Sequence, residues 1–383
     1  MTPTTEAADR TPRPVVLTGM AVTTGYGHGV DALREGIRSG VPAFTPVTRF
    51  DTGRYRVGIA AQGPAELDLD TELKTLAEEA CKQAGLSPAE RAESLLLAAR
   101  HADPAVSRLP RAEQRERPIG DTARWLAQEC GFEAPGRTYI NACVAAGAAV
   151  AEAAVLIATG RRDRVVVAAG HLVDAESFTT FDAGRALAAD GRLRPFSAGR
   201  KGLLLGDGAG VVVLEAAGSR SGMRPLARLS GWGMAGDAHH VCQPHPQGLG
   251  MARSIELALR RAGLGPGDLD YVNAHGTGTP YNDSAETAGM HRVFGELAER
   301  IPVSSTKSLT GHALQAAGMV ELVITVLTVG TGLLPVNSGY LGPDPDCRLD
   351  LVLDTTRERE VRHAVSLNSA FGGANTALVV SAP

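Results

Sequence analysis

The chain has 383 residues, 44% of them hydrophobic and 21% charged, a balance that supports a full buried core in one large domain or two fused ones and excludes a disordered chain. Lys and Arg total 38 against 42 Asp and Glu, a formal charge of -4, so there is no basic footprint for nucleic acid or anionic lipid. Aromatic residues make up 4% and glycines number 45, which favours close backbone packing over stacking platforms.

Residues 1–14 are polar, without the apolar segment of an export signal or anchor, so a cytoplasmic protein is expected. From Val15 onward the pattern alternates. It predicts a strand at 15–17, helices at 30–39 and 72–84, a strand at 95–98 and a helix at 122–130. An Ala-rich helix after Cys143 follows, then strands at 164–169 and 210–215. This alternation is the signature of an α/β fold. The span 98–136, dense in Arg, Glu and Pro around 108–118, reads as a surface excursion or cap. The most apolar windows, 142–160 and 318–332, contain Glu152 and Glu321 and are rich in Ala, Gly and Thr, so both are read as buried helices and not as membrane spans.

The second half opens as the first does. Arg13-Pro14 leads to Gly19-Met20-Ala21, and Arg224-Pro225 leads to Gly233-Met234-Ala235. Each half closes on a Gly-rich turn running into a β-branched strand, at 206–213 and 371–380. An internal duplication follows, with halves 14–220 and 221–383.

Five cysteines stand at 81, 130, 143, 242 and 347 without CxxC spacing, and reduced thiols are expected. Cys143 differs from the others in its setting. Tyr139-Ile140-Asn141-Ala142-Cys143 passes into Val144-Ala145-Ala146-Gly147, which places the thiol at a helix start, where the dipole and free N–H groups favour a thiolate. Asn273-Ala274-His275-Gly276-Thr277-Gly278-Thr279-Pro280 carries a His from a strand end into a Gly- and Thr-rich loop, a usual site for catalytic groups in α/β proteins. In Ser304 to His312 the signal is Lys307. Only four of the 38 basic residues are Lys, so a Lys here points to a role for a compact ammonium.

Taken together these segments resemble the β-ketoacyl synthases of the thiolase superfamily. The resemblance runs from Pro14 to the C-terminus through Ala142-Cys143, Arg194-Pro195-Phe196, Leu205 to Gly210, Asn273 to Pro280 with Asp283 and Glu286, Ser304 to His312, and Asn368-Ser369 with Phe371-Gly372-Gly373. It implies a thiolase-like five-layer α-β-α-β-α sandwich built from two duplicated halves. It implies that Cys143 takes an acyl group from a carrier-protein thioester, and that His275 and His312 donate hydrogen bonds to the enolate formed when a malonyl-type thioester loses carbon dioxide. The same resemblance assigns the oxyanion hole to the N–H groups of Cys143 and Phe371 and a supporting polar network to Lys307 and Glu286. No cofactor is needed. The implied partners are acyl- and malonyl-loaded acyl carrier protein and a second subunit in a homodimer or a heterodimer. Two further readings are a synthase-like acyltransferase that passes the acyl group to an amine or alcohol without decarboxylation, and a non-condensing subunit that sets chain length in a heterodimer.

Departures from the family pattern are Asn141 before Ala-Cys, Ala145-Ala146 after it, Ser197 after Arg-Pro-Phe, and a C-terminal Asn-Ser-Ala-Phe-Gly-Gly loop one residue short. The loop 239–245 packs three His and Cys242 into seven residues, but its prolines and lack of a second ligand pair argue against a metal site, and the resemblance, through Asp237-Ala238-His239-His240, implies a pocket-rim loop. The string 206–210 leads into a strand and not out of one into a helix, so it does not signal a nucleotide cofactor. Arg161-Arg162-Asp163-Arg164 reads as a solvated turn.

Overall fold

The computed structural model describes residues 12–100 and 122–383; the 108–118 run lies outside them. The first half supplies strands β1 (Val15–Thr24), β2 (Leu95–Arg100), β3 (Glu133–Tyr139), β4 (Arg164–His171) and β5 (Gly208–Ala216). The second supplies β6 (Ala227–Gly236), β7 (Tyr271–Asn273), β8 (Pro302–Ser304), β9 (His363–Ser369) and β10 (Ala374–Ser381). The order in the first is β3-β2-β4-β5-β1 and in the second β8-β7-β9-β10-β6. Both repeat one pattern. The second strand of each half lies parallel to the third and fourth, and the fifth lies antiparallel between the fourth and the first. The halves join where Val15 to Leu17 of β1 pairs antiparallel with Ala227 to Leu229 of β6.

The duplication extends to irregularities. Register slips by one residue at Thr18 in β1 and at Ser230 in β6, a bulge at the same place in each half. The next residue is Gly19 or Gly231. A Cβ there would stand 2.1 Å from the Ala80 carbonyl oxygen or 2.0 Å from that of Ala258, so in both halves a helix lies directly on the bare strand. These two glycines are the true counterparts. The sequence match of Gly19 to Gly233 is therefore corrected by two residues, because bulge and helix contact, not the Gly-Met-Ala triplet, fix the register.

Six helices complete the sandwich: α1 (Leu69–Ala84), α2 (Thr122–Cys130), α3 (Ala145–Ala158), α4 (Leu249–Ala262), α5 (Pro280–Phe294) and α6 (Ala317–Thr331). Asp68 caps α1 by accepting the Thr71 N–H at 2.9 Å. One outer layer buries Leu73, Leu76 and Leu126 of α1 and α2 against Val166 and Val211. The other buries Ile255 and Met290 of α4 and α5 against Val272 and Val379. Between the sheets, α3 and α6 place Ala149, Ile157, Met319 and Val323 in one core with Val167 and Leu378. Covered on both sides, these two helices are apolar apart from Glu152 and Glu321 and mostly buried, as the buried-helix reading requires.

One expectation needs correction: part of the span read as an excursion forms β3. Its Pro135-Gly136 pair breaks the alternation that marks a strand, and a proline is tolerated there because β3 lies at the sheet edge.

Candidate active site

Cys143 lies in a one-turn 3-10 helix, Ala142–Val144, that feeds α3. Leu314–Ala316 feeds α6 in the same way. Each turn is entered through a non-glycine residue with positive φ, Ala142 at 51° and Leu314 at 43°, a conformation that costs about 1–2 kcal/mol and is held by the surrounding packing. The two turns pack against each other. Cys143 occupies in one the place that Gln315 occupies in the other.

His275 leaves the end of β7, and His312 stands two residues before the second turn. Their rings meet edge to face with centroids 5.3 Å apart. His275 is held on three sides. Lys307 Nζ donates to its Nδ1 at 3.1 Å and to its carbonyl oxygen at 2.7 Å. Glu286 accepts the His275 and Gly276 N–H groups, both at 2.7 Å. An ammonium can only donate, so Nδ1 accepts and the ring hydrogen sits on Nε2. The His312 backbone is fixed through its N–H to Leu204 O at 2.8 Å and its carbonyl to the Gly206 N–H at 3.1 Å. Its Nδ1 is buried without a hydrogen-bond partner among the described residues.

Burial, aided by the Lys307 ammonium, holds both imidazoles well below their usual range and therefore neutral. His171 adds to this at His312. Burial also raises the acids behind them, Asp283 to about 6 and Glu286 to about 7. Asp283 accepts the Phe196 N–H at 2.8 Å and the Gly278 N–H at 3.2 Å. It thereby ties the Arg-Pro-Phe segment to the loop after His275.

Lys307 and Glu286 meet at His275, Glu286 on its backbone and Lys307 on its ring and carbonyl; the ion partner of Lys307 is Glu321 of α6, which also accepts from Asn368 Nδ2. One expectation changes. The thiol is not a resting thiolate: burial pushes Cys143 up to about 12, with Lys307 pulling down and Glu321 pushing up by smaller amounts. The helix start does not offset that desolvation. Phe371 turns its ring outward, 54% exposed and stacked on Phe181 of the helix Ala175–Ala183, with centroids 6.1 Å apart.

Sequence reasoning missed the roles of Glu321 and His171. Glu321 had a signal, a lone carboxylate inside an apolar helix, but it served only to exclude a membrane span. His171 ends a β-branched strand and carried none. The loop 239–245 uses its imidazoles internally: His240 Nδ1 accepts the Cys242 and Gln243 N–H groups, both at 3.1 Å. Its Val241 carbonyl accepts the Gly372 N–H at 2.8 Å, which sets this loop beside Phe371.

Comparison with known proteins identifies the family. Residues 73–218 match the N-terminal domain and residues 226–340 the C-terminal domain of the β-ketoacyl synthase family. The chain is 33% identical to a putative polyketide beta-ketoacyl synthase 1 of Streptomyces halstedii, covering 97% of this chain and 98% of that one. It is 29% identical to a 3-oxoacyl-[acyl-carrier-protein] synthase 2 of Staphylococcus aureus (strain COL), over 95% and 97% of the two chains. Among solved structures, a type II polyketide ketosynthase bound to its hexaketide and in complex with its acyl-carrier protein superposes with a TM-score of 0.89, at 27% identity over 97% of this chain and 100% of that one. The chain, with a thiol at a helix start and two repeated halves, thus belongs to the β-ketoacyl synthase family of acyl-transferring condensing enzymes.

Proposed function

We propose that Cys143 is the acylated nucleophile and that His275 and His312 are the hydrogen-bond donors of a decarboxylative condensation. The observation that carries this reading is the His275 tautomer. Lys307 occupies Nδ1, so a neutral ring is left with a single fixed donor, Nε2–H, beside the second neutral imidazole of His312, which stands two residues before the turn that packs on the turn of Cys143. Neutral donors suit an enolate oxygen.

In the loading step the Cys143 sulfur bonds to the acyl carbonyl carbon, the carrier thiol leaves, and the thiol proton passes to it. Because burial keeps that thiol protonated, proton loss accompanies attack. In the second step the malonyl carboxylate leaves as carbon dioxide, and the electron pair of that C–C bond becomes the enolate. The enolate carbon then attacks the acyl-Cys carbonyl, and the expelled Cys143 thiolate takes up a proton from solvent. The Cys143 and Phe371 N–H groups are proposed to hold the tetrahedral oxyanion. The neighbouring Ala370 and Gly372 N–H groups are bonded to Ala374 O and Val241 O, which fixes the backbone on both sides of Phe371. We propose acyl carrier protein as the thioester donor and a dimer as the working form.

Intact-mass analysis with acyl- and malonyl-loaded carrier tests this. Cys143→Ala is expected to abolish acyl loading. His312→Ala is expected to load normally and to lose carbon dioxide release by about 10²–10³-fold, the usual cost of one oxyanion donor. Loading without malonyl-dependent carbon dioxide in the unaltered protein would favour acyl transfer to another acceptor, and loss of loading in His312→Ala would overturn its assigned role.

A further inference from the structure

The two halves treat one equivalent position differently. In the first, Val16, Glu215 and Arg164 lie opposite one another across β1, β5 and β4, and the bulge adds Thr18. The Glu215 carboxylate is fully enclosed. Thr18 Oγ1 donates to it at 2.6 Å, Arg164 Nε at 2.9 Å, and Arg220 through two nitrogens, both at 2.9 Å. This is a built anion site whose anion belongs to the chain.

In the second half the same row is Arg228, Ser381 and His363 across β6, β10 and β9, and the bulge adds Ser230. Ser230 Oγ donates to Ser381 Oγ at 2.6 Å, and Ser381 Oγ lies 2.8 Å from His363 Nδ1. The hydroxyl and cationic frame is retained, but the carboxylate is missing. In its place is a half-open cavity of about 180 Å³ at the end of α4, lined by the exposed Arg228 and Arg362 and by Ser230, His363 and Ser381, far above the ~10–15 Å³ that one water needs. Arg228 has no ion-pair partner among the described residues, and Arg362 meets only the exposed Glu360, at 3.5 Å. The nearby Asp270 is already engaged by the N–H groups of Arg362 and His363, at 2.8 and 3.1 Å, and by Arg359 at 3.6 Å.

We propose that this cavity binds a small oxyanion, inorganic phosphate or a short carboxylate, where the other half holds the carboxylate of Glu215. Two guanidinium groups supply charge-assisted donors for such a ligand, with the His363 ring and the Ser381 hydroxyl beside them. The site lies at the opposite end of β9 from Asn368, about 16–17 Å away at the rise of an extended strand, so it is separate from the condensing site.

The test uses the purified full chain and thermal unfolding at constant ionic strength, titrating sodium phosphate and, separately, sodium acetate against sodium chloride. One of the two anions is expected to raise Tm saturably above chloride, and which one does so identifies the ligand class. In the double variant R228A/R362A the half-saturating concentration is expected to rise about tenfold or more. Ser381→Glu restores an internal carboxylate and is expected to abolish the anion response. If neither anion exceeds chloride, or if R228A/R362A keeps the unaltered midpoint, the proposal fails. Should Ser381→Glu not fold, the arginine variant decides alone.

Discussion

At the scale of single residues, the site depends on charges that are buried together. Lys307 and Glu321 are 1% and 2% exposed and paired. Glu321→Gln keeps the shape of the side chain but leaves the ammonium without its counter-charge, so a loss of about 3–5 kcal/mol in urea unfolding is expected; a loss below about 1 kcal/mol would mean that Lys307 is held by His275 alone. Glu286 sets a pH dependence. Its carboxyl is raised to about 7 from an ordinary 4.5, so the folded state binds its proton more tightly than the unfolded chain does. The resulting stabilisation is complete below about pH 4.5 and is lost as the pH rises through 7. The stability difference between the unaltered protein and Glu286→Gln should therefore shrink from pH 5 to pH 8 in paired thermal scans, and a widening difference would contradict the sign. Cys143, His275 and His312 were all legible as residue types at strand and helix ends. The pairing of Lys307 with Glu321 was not, because a contact between residues on facing elements leaves no local pattern.

Among the elements, the repeated unit is a bulged first strand lying under a helix. Gly231 has no room for a side chain beneath Ala258, so Gly231→Ala must lift α4 from the sheet, at an expected cost of about 1–3 kcal/mol in chemical denaturation. Gly236, in the same strand with nothing within 4 Å of its Cβ position, is the control, and Gly236→Ala is expected to stay within about 0.5 kcal/mol. Equal effects at the two positions would remove the argument from close approach. Helices with a clear apolar face, such as Thr122–Cys130, were read from sequence with their observed ends. Strand β3 was not, because its edge position tolerates residues that break the pattern by which strands are recognised.

On the scale of the whole molecule, residues of both halves form one core around α3 and α6. Neither half can cover its own central helix. The chain is therefore expected to unfold in a single calorimetric transition, with fragments 14–220 and 221–383 unfolded when produced separately. Two separated transitions would instead make each half a stable domain.

The sequence by itself determined the α/β class, the repetition, and the identity of the chemically active residue types, since these depend on local periodicity and on short runs such as 273–280 and 304–312. Only the tertiary structure decided which acid serves which base, that the thiol rests protonated, and that one half carries an internal carboxylate where the other has an open cationic cavity. Those outcomes are set by burial and by partners brought together from distant segments. Desolvation and charge pairing act through space, not along the chain.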